Sequence, residues 1–312
     1  TTVLILAPVT ILIAVELGIS PVPFLIAEAM ASNIGGTATL IGDPPNIMIG
    51  SAAGLHFIDF IFSLTPIVLI IYLVFTLFMY LTFRKDLEVS NERRARVMEF
   101  DETKAIEDPV LLRKCLIVLG LVLLGFLFHG ALKVEAATVS LLGASVLLLL
   151  TGKHEIDDYF KDIEWGTIFF FIGLFILVGG IVELGIIRSL SQALLTLTEG
   201  NLKLTSVLLI WGSGVLSSIV DNIPYVATMI PLIQNISSEV GQAAAEPLWW
   251  SLALGACLGG NGSLIGASAN VIVAGLANKS GYRITFLEFT RYGIKVTLFS
   301  LILSTVYVLI RF

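Results

Sequence analysis

Charge is what this chain has least of. Asp, Glu, Lys and Arg make up only 13% of its 312 residues, against ~25% in a typical soluble domain. Hydrophobic residues make up 56% and mean hydropathy is +0.96, which excludes a water-soluble globule. Two cysteines and three histidines give no basis for a disulfide scaffold or a Cys/His metal site. Cys115 and Cys257 lie in apolar segments and read as packed thiols. His56, His129 and His154 stand isolated and are expected at span ends. The net charge is −6 and no basic patch is large enough to suggest nucleic acid, which is therefore not an expected partner. No Gly-Lys-Ser/Thr follows the glycine-rich stretches, which argues against a phosphate-loop enzyme. No cofactor is implied. The opening Thr1-Thr2-Val3-Leu4 has no initiator Met and no charged flank, unlike a signal peptide. The chain is therefore expected to be a fragment lacking its N-terminal part.

What is present is a series of apolar runs near the ~20 residues that cross a bilayer. Alternating strands of ~10 residues, the mark of a membrane barrel, are not visible. The expected fold is an all-α polytopic membrane protein. Full spans are expected at 62–83, 110–130, 134–151, 165–184 and 289–311. Residues 155–163 and 186–199 read as helices lying at the membrane interface, and Trp165 opens a span, as interfacial tryptophans do.

One stretch breaks the apolar pattern: Ser32-Asn33-Ile34-Gly35-Gly36-Thr37-Ala38-Thr39-Leu40-Ile41-Gly42-Asp43-Pro44-Pro45-Asn46. It recurs. Gly35, Gly36, Leu40, Ile41, Gly42 and Asn46 reappear 224 positions later as Gly259, Gly260, Leu264, Ile265, Gly266 and Asn270. Flanking pieces at 22–32 and 47–54, and again at 247–257 and 267–279, are each too short to cross alone at 1.5 Å per residue. Each pair with its loop makes one broken crossing. A third break falls at Asp221-Asn222, with Pro224 just after, which disfavours helix. Residues 204–220 and 223–236 read as the arms of a re-entrant hairpin within 201–240; the alternative is a single kinked span. Residues 1–19 resemble a second hairpin arm, since Thr1–Pro8 matches Pro224–Pro231, so the first copy's tip is expected just upstream of Thr1.

Residues 84–109 are the one strongly polar segment. With Arg113 and Lys114 they hold eight Lys/Arg, and basic residues set orientation, so this linker is placed in the cytoplasm. Counting crossings from there runs the first broken helix outward and the second inward, and leaves the C-terminus outside. The copies then form an inverted repeat: 1–83 is the latter part of the first copy, 84–109 the linker and 110–312 the second copy. Lys153, Lys161, Lys279, Arg283 and Arg291 fall inside, and Lys133, Arg188, Lys203 and Arg311 outside.

Broken helices carry chemistry because irregular backbone survives at membrane depth only within protein or beside a water-filled cavity. A break exposes N–H groups at one end and carbonyls at the other, suited to anions and to cations respectively. Gly35, Gly36, Gly42, Gly259, Gly260 and Gly266 permit close backbone approach, while Pro44, Pro45 and Pro224 keep the breaks open. Asn33, Thr37, Thr39, Asn46, Asn222, Asn261, Ser263 and Asn270 offer neutral donors and acceptors to a solute; the plainer alternative for the asparagines is hydrogen bonding within the loops. Asp43 and Asp221 are the acids at depth. An unpaired buried carboxylate is costly, so an acid within the membrane is a functional candidate. For Asp43 the plainer alternative is a helix N-cap. Glu16, Glu28 and Glu183 are expected near span ends in structural roles.

These residues resemble the ArsB/NhaD group of the ion transporter superfamily, which includes citrate-transporter-like and divalent-anion permeases, and most of all its P-protein (melanosomal permease) branch. The resemblance is carried by Ala27-Glu28 through Asn46, by Asp221-Asn222-Ile223-Pro224 and by Ala256 through Asn270, and covers essentially the whole chain. It implies a scaffold domain, a transport domain and alternating access, with the hairpin-tip motif on Asp221-Asn222 and the broken-helix loops on 33–46 and 259–270. A homodimer is implied only by this resemblance. The expected function is ion-coupled exchange of a small inorganic solute such as arsenite, antimonite or Na⁺ against H⁺ in a bacterial or archaeal cell membrane, and not an enzyme activity. An anion (chloride or carboxylate) permease or a channel on the same scaffold is the alternative; a tricarboxylate would want Arg or Lys at depth, and none is seen. An intramembrane aspartyl protease using Asp43 and Asp221 is disfavoured, because Leu40-Ile41-Gly42-Asp43 lacks the Gly-x-Gly-Asp pattern such enzymes need.

Overall fold

The computed structural model describes residues 2–84, 89–98, 108–151, 161, 163 and 165–312. Among them are fourteen α-helices and no strand, as an all-α multi-pass membrane protein requires. In chain order they are α1 (Thr2–Leu17), α2 (Val22–Thr37), α3 (Pro44–Ala53), α4 (Phe57–Phe83), α5 (Asn91–Met98), α6 (Pro109–Leu132), α7 (Ala136–Thr151), α8 (Trp165–Glu183), α9 (Ile186–Leu197), α10 (Leu202–Ile219), α11 (Asn222–Val240), α12 (Gln242–Gly259), α13 (Ser268–Lys279) and α14 (Phe286–Arg311). By length and composition α4, α6, α8, α10 and α14 could cross a membrane. The interfacial helix expected at 155–163 falls outside the described residues except for 161 and 163, and His154 falls outside them too. Half of 84–109 (residues 85–88 and 99–107) is likewise undescribed; within it lies α5.

Three expected breaks are present, with shifted bounds. α2 does not stop at Ser32 but runs on through Gly35-Gly36 to Thr37. Glycine is tolerated in a helix at a cost of ~1 kcal/mol, and here the small residues are packed rather than loose. The loop is therefore 38–43. Pro44 and Pro45 do more than hold it open: they start α3, where a missing N–H costs nothing. α12 likewise extends from Gln242 to Gly259, followed by a 3₁₀ turn at Gly260–Gly262. α4 begins at Phe57, five residues earlier than expected, because Asp59 and His56 close a capping box there.

Side-chain contacts sort the helix ends into two sets. At one end, Phe83 at the close of α4 meets Tyr292 near the start of α14, with ring centroids 5.0 Å apart. There too Arg93 Nη1 of α5 donates to the carbonyls of Leu17 and Gly18 at 3.3 and 3.1 Å, so the polar linker is tied to the end of α1. At the other end Tyr307 Oη donates to Ser63 O at 2.7 Å, and Lys203 Nζ donates to Leu309 O. α4 and α14 are thus antiparallel. α3 and α11 are parallel: Asp43 meets Asn222 where both begin, and Ala52 O accepts from Gln234 Nε2 where both near their close. The α2–α3 crossing therefore starts at the Arg93 end, whereas α12–α13 finishes there.

His56 and His129, expected to be isolated, are paired. His56 and His129 meet edge to face at 5.2 Å, and buried His129 accepts from Phe57 N through Nε2 at 3.1 Å and faces Val134 O through Nδ1 at 3.0 Å. This fastens α6 to the start of α4. Their separation in sequence hid the pairing. The packed core lies in α2, α4, α11 and α12, where Ala245 and Leu248 through Gly259 are all buried. α6 and α8 present mostly exposed apolar side chains, the surface a bilayer covers.

α10 lies directly on α12. A Cβ added at Gly259 would sit 2.6 Å from Gly214 O and 2.7 Å from Gly214 Cα. Gly259→Ala is expected to lower stability by about 1–3 kcal/mol through overpacking. Gly120→Ala in α6, whose Cβ would meet nothing within 4 Å, is expected to be neutral or to gain up to about 1 kcal/mol from helix propensity. Thermal unfolding in detergent separates the two, and equal effects would contradict the packing described.

Candidate functional site at the meeting of three helix breaks

Each loop is closed by one asparagine. Asn46 Nδ2 donates to the carbonyls of Gly36, Thr37 and Thr39 at 3.3, 3.1 and 3.0 Å. Asn270 Nδ2 donates to the carbonyls of Gly260 and Ser263 at 2.8 and 2.9 Å. Gly260, Ser263 and Asn270 stand 224 positions after Gly36, Thr39 and Asn46, so the same side chain captures the same freed carbonyls twice. The backbone agrees: Gly42 N donates to Thr39 O at 3.3 Å and Gly266 N to Ser263 O at 3.3 Å. Asp43 (φ −143°, ψ 137°) and Ala267 (φ −151°, ψ 146°) precede their helices in the same extended conformation. Gly36 must be glycine, since a Cβ there would sit 2.7 Å from Gly42 O.

The loops also bond to each other. Asn33 Nδ2, buried in α2, donates to Asn261 Oδ1 and Asn270 Oδ1, both at 2.9 Å. In the reverse sense Cys257 Sγ donates to Asn46 Oδ1 at 3.5 Å. The hairpin tip completes the set. Asn222 Nδ2 donates to Asp43 Oδ2 at 3.2 Å, and Asn222 N donates to Gly266 O at 3.3 Å. All three breaks thus lie within hydrogen-bond reach of one another.

The candidates divide by what they face. Asp43 occupies the N-cap position of α3 but makes no capping hydrogen bond, so the plainer role is not the one it plays; its carboxylate turns to Asn222. Asp221 does cap: its Oδ1 accepts from Ile223 N at 3.0 Å, which starts α11 and places Pro224 harmlessly in the first turn. Asn33, Asn46, Asn261 and Asn270 are buried and committed to loop and interloop bonds. Thr37 donates back to Asn33 O at 2.8 Å. Ser263 donates to Ser218 O at 2.6 Å, so its hydroxyl ties the hairpin arm down. For Thr39 the described contact is through its carbonyl.

Several contributors escaped sequence reasoning. Ser217 and Ser218 of α10 donate to Ala256 O and Gly259 O at 2.7 and 2.9 Å, Thr297 of α14 donates to Leu258 O at 3.3 Å, and Thr65 of α4 donates to Ala38 O at 3.1 Å. They bond carbonyls at or beside the breaks, Ala256 O and Leu258 O accepting from Gly260 N as well, and their signal was hydroxyl residues inside otherwise apolar helices. Glu28, expected near a span end, lies in the body of α2. Its Oε2 accepts from Thr10 Oγ1 at 2.8 Å and its Oε1 is buried with no hydrogen-bond partner among the described residues.

Discontinuous apolar helices with polar loops gathered inside the bundle define a multi-pass membrane transporter. The chain belongs to the citrate transporter family: residues 1–255 match the family model CitMHS, described as "Citrate transporter". It is 47% identical over 313 residues to the "46 kDa membrane protein" of Mycobacterium leprae, covering all of this chain and 73% of that protein. It is 45% identical over 313 residues to an "Uncharacterized transporter" of Mycobacterium tuberculosis, covering all of this chain and 72% of that one. The human "P protein" is 32% identical over 388 residues, with 99% of this chain and 46% of that protein covered.

Asn33→Ala would leave the amide oxygens of Asn261 and Asn270 without their donor. It is expected to cost about 1–3 kcal/mol, readable as a lowered unfolding temperature in detergent. An unchanged temperature would mean that the interloop bonds do not hold the site together.

Proposed function

We propose that this chain is an ion-coupled secondary transporter built as an inverted repeat: 1–83 the latter part of one copy, 84–109 a cytoplasmic linker, and 110–312 the other. The reading is supported most by one contact, the Asp43–Asn222 hydrogen bond, which sets the acid of one broken helix against the hairpin tip belonging to the other copy. The opposite sense of α2–α3 and α12–α13 supports the inversion. The Arg93 latch to α1, at the end where α4 finishes and α14 begins, gathers the basic linker with Lys279, Arg283 and Arg291 on one side. That fits an inside location and an external C-terminus in a bacterial or archaeal cell membrane.

At the site, Asp43 binds the coupling cation, H⁺ or Na⁺, with oxygen ligands from the loop; Asp221 and Asn222 border it from the tip. The transported solute is a small inorganic species such as arsenite, antimonite or Na⁺, moved by exchange. None of the described hydrogen bonds at the loops comes from Lys or Arg, which disfavours a large polyanion. A second reading, a carboxylate or chloride permease, is favoured by the family's description and by the beginnings of α3, α11 and α13 at the breaks, since helix N-termini attract anions. Flux into proteoliposomes of arsenite, Na⁺, citrate and chloride, with and without a pH gradient, decides between them; single-channel currents indifferent to the gradient would sink both.

Asp43→Asn is expected to abolish coupled flux, by at least about tenfold, with membrane insertion and unfolding temperature retained. Asp221→Asn is expected to lose coupling while keeping its cap, because Asn caps helices about as well as Asp. Full proton- or Na⁺-driven flux in Asp43→Asn would remove that residue from the mechanism.

A further inference from the structure

The two loop-closing asparagines are held alike through nitrogen and differently through oxygen. Asn270 Oδ1 is engaged by an amide donor, Asn33 Nδ2, at 2.9 Å. Asn46 Oδ1, in the corresponding place, receives among the described residues only the thiol of Cys257, at 3.5 Å. Cys257 stands 224 positions after Asn33, so the thiol fills the position where the other half carries an amide. An S–H is a weak donor. Asn46 is fully buried, and a buried amide oxygen so weakly satisfied keeps most of its capacity to bind something else. The neighbouring residue differs in the same direction. Asp43 stands at the loop's end in the first copy and Ala267 in the second, and Cys257 lies within side-chain reach of Asp43.

We infer that Cys257 is a specificity-determining positioning residue: by offering Asn46 only a weak donor, it leaves the Asn46 oxygen free to ligate a hard monovalent cation beside Asp43, while Asn33 closes the equivalent position in the second loop. The two halves are then unequal, with one cation site at 38–46 and a purely structural loop at 260–270. Carboxylate, amide and carbonyl oxygens are the ligands hard cations take. The inference rests on the coupling-cation reading above and goes beyond it by assigning one site rather than two, and by naming the residue that decides which.

The test uses the full chain in detergent at fixed pH, with Na⁺ as the probe and Na⁺-dependent thermal stabilisation as the readout. The wild type should show one-site dependence. Cys257→Asn should rebuild the Asn–Asn pair, raising the half-saturating Na⁺ concentration by about tenfold, the worth of one net hydrogen bond, with ion-free stability equal or higher. Cys257→Ala should leave that concentration within about threefold of wild type. Cys257→Ser, nearly isosteric, should raise it by an intermediate factor, and keeps the test informative should the Asn variant fail to fold. Unchanged Na⁺ dependence in the Asn and Ser variants overturns the role of Cys257 while leaving the cation site standing. Loss of Na⁺ response in the Ala variant would make the thiol itself a ligand and overturn it as well. A wild type stabilised by Na⁺ with two-site dependence contradicts the single site, and a wild type indifferent to Na⁺ overturns this inference while leaving H⁺ as the coupling cation.

Discussion

Broken backbone inside a membrane protein has to be satisfied without water, and here that task falls to two amide side chains. Each unpaired N–H or C=O in hydrocarbon costs several kcal/mol. Asn46 and Asn270 each reach back across their loop to collect carbonyls left open by the end of α2 or of α12. Hydroxyls from α4, α10 and α14 take others. Without these donors the chain would be driven to close the loops into continuous helix, and the polar centre would vanish. The site exists because the packing around it supplies what the lipid cannot.

Much of this was visible in the sequence, because breaks leave local marks. Gly42-Asp43-Pro44-Pro45, Asp221-Asn222-Ile223-Pro224 and Gly259-Gly260-Asn261-Gly262 interrupt apolar runs, and each interruption is where a helix ends or begins. The repeat at 224 positions told which interruptions correspond. Bounds were less legible. Gly35-Gly36 looks like a loop, yet it is helix, since the stop is set further on by where α3 can start with proline. What glycine permits and what the surroundings require are separate matters.

Pairings were not legible. Asn33 and Asn270 are 237 residues apart, and Asn46 and Cys257 are 211 apart; no local pattern joins them. The asparagines were read as lining for a solute, with bonding inside the loops as the plainer alternative, and Asn33, Asn46, Asn261 and Asn270 do make loop and interloop bonds. Asp43 went the other way. Its position invited a capping role, but its side chain leaves the helix end alone and faces the hairpin tip. The paired histidines at the start of α4 and the end of α6 were likewise lost in the distance between them.

Asn33 has a mechanical consequence. With both amide hydrogens spent on the second loop, α2 is riveted to α12 and α13 at their break. Prying the broken helices apart would strip those bonds in a dry interior. At the periphery, α6 is held to the start of α4 by the His129–Phe57 bond, the edge-to-face pair His56–His129 and the stacked rings of Phe57 and Phe126. The centre is thus joined by paired amide bonds, and the rim by rings and a single imidazole.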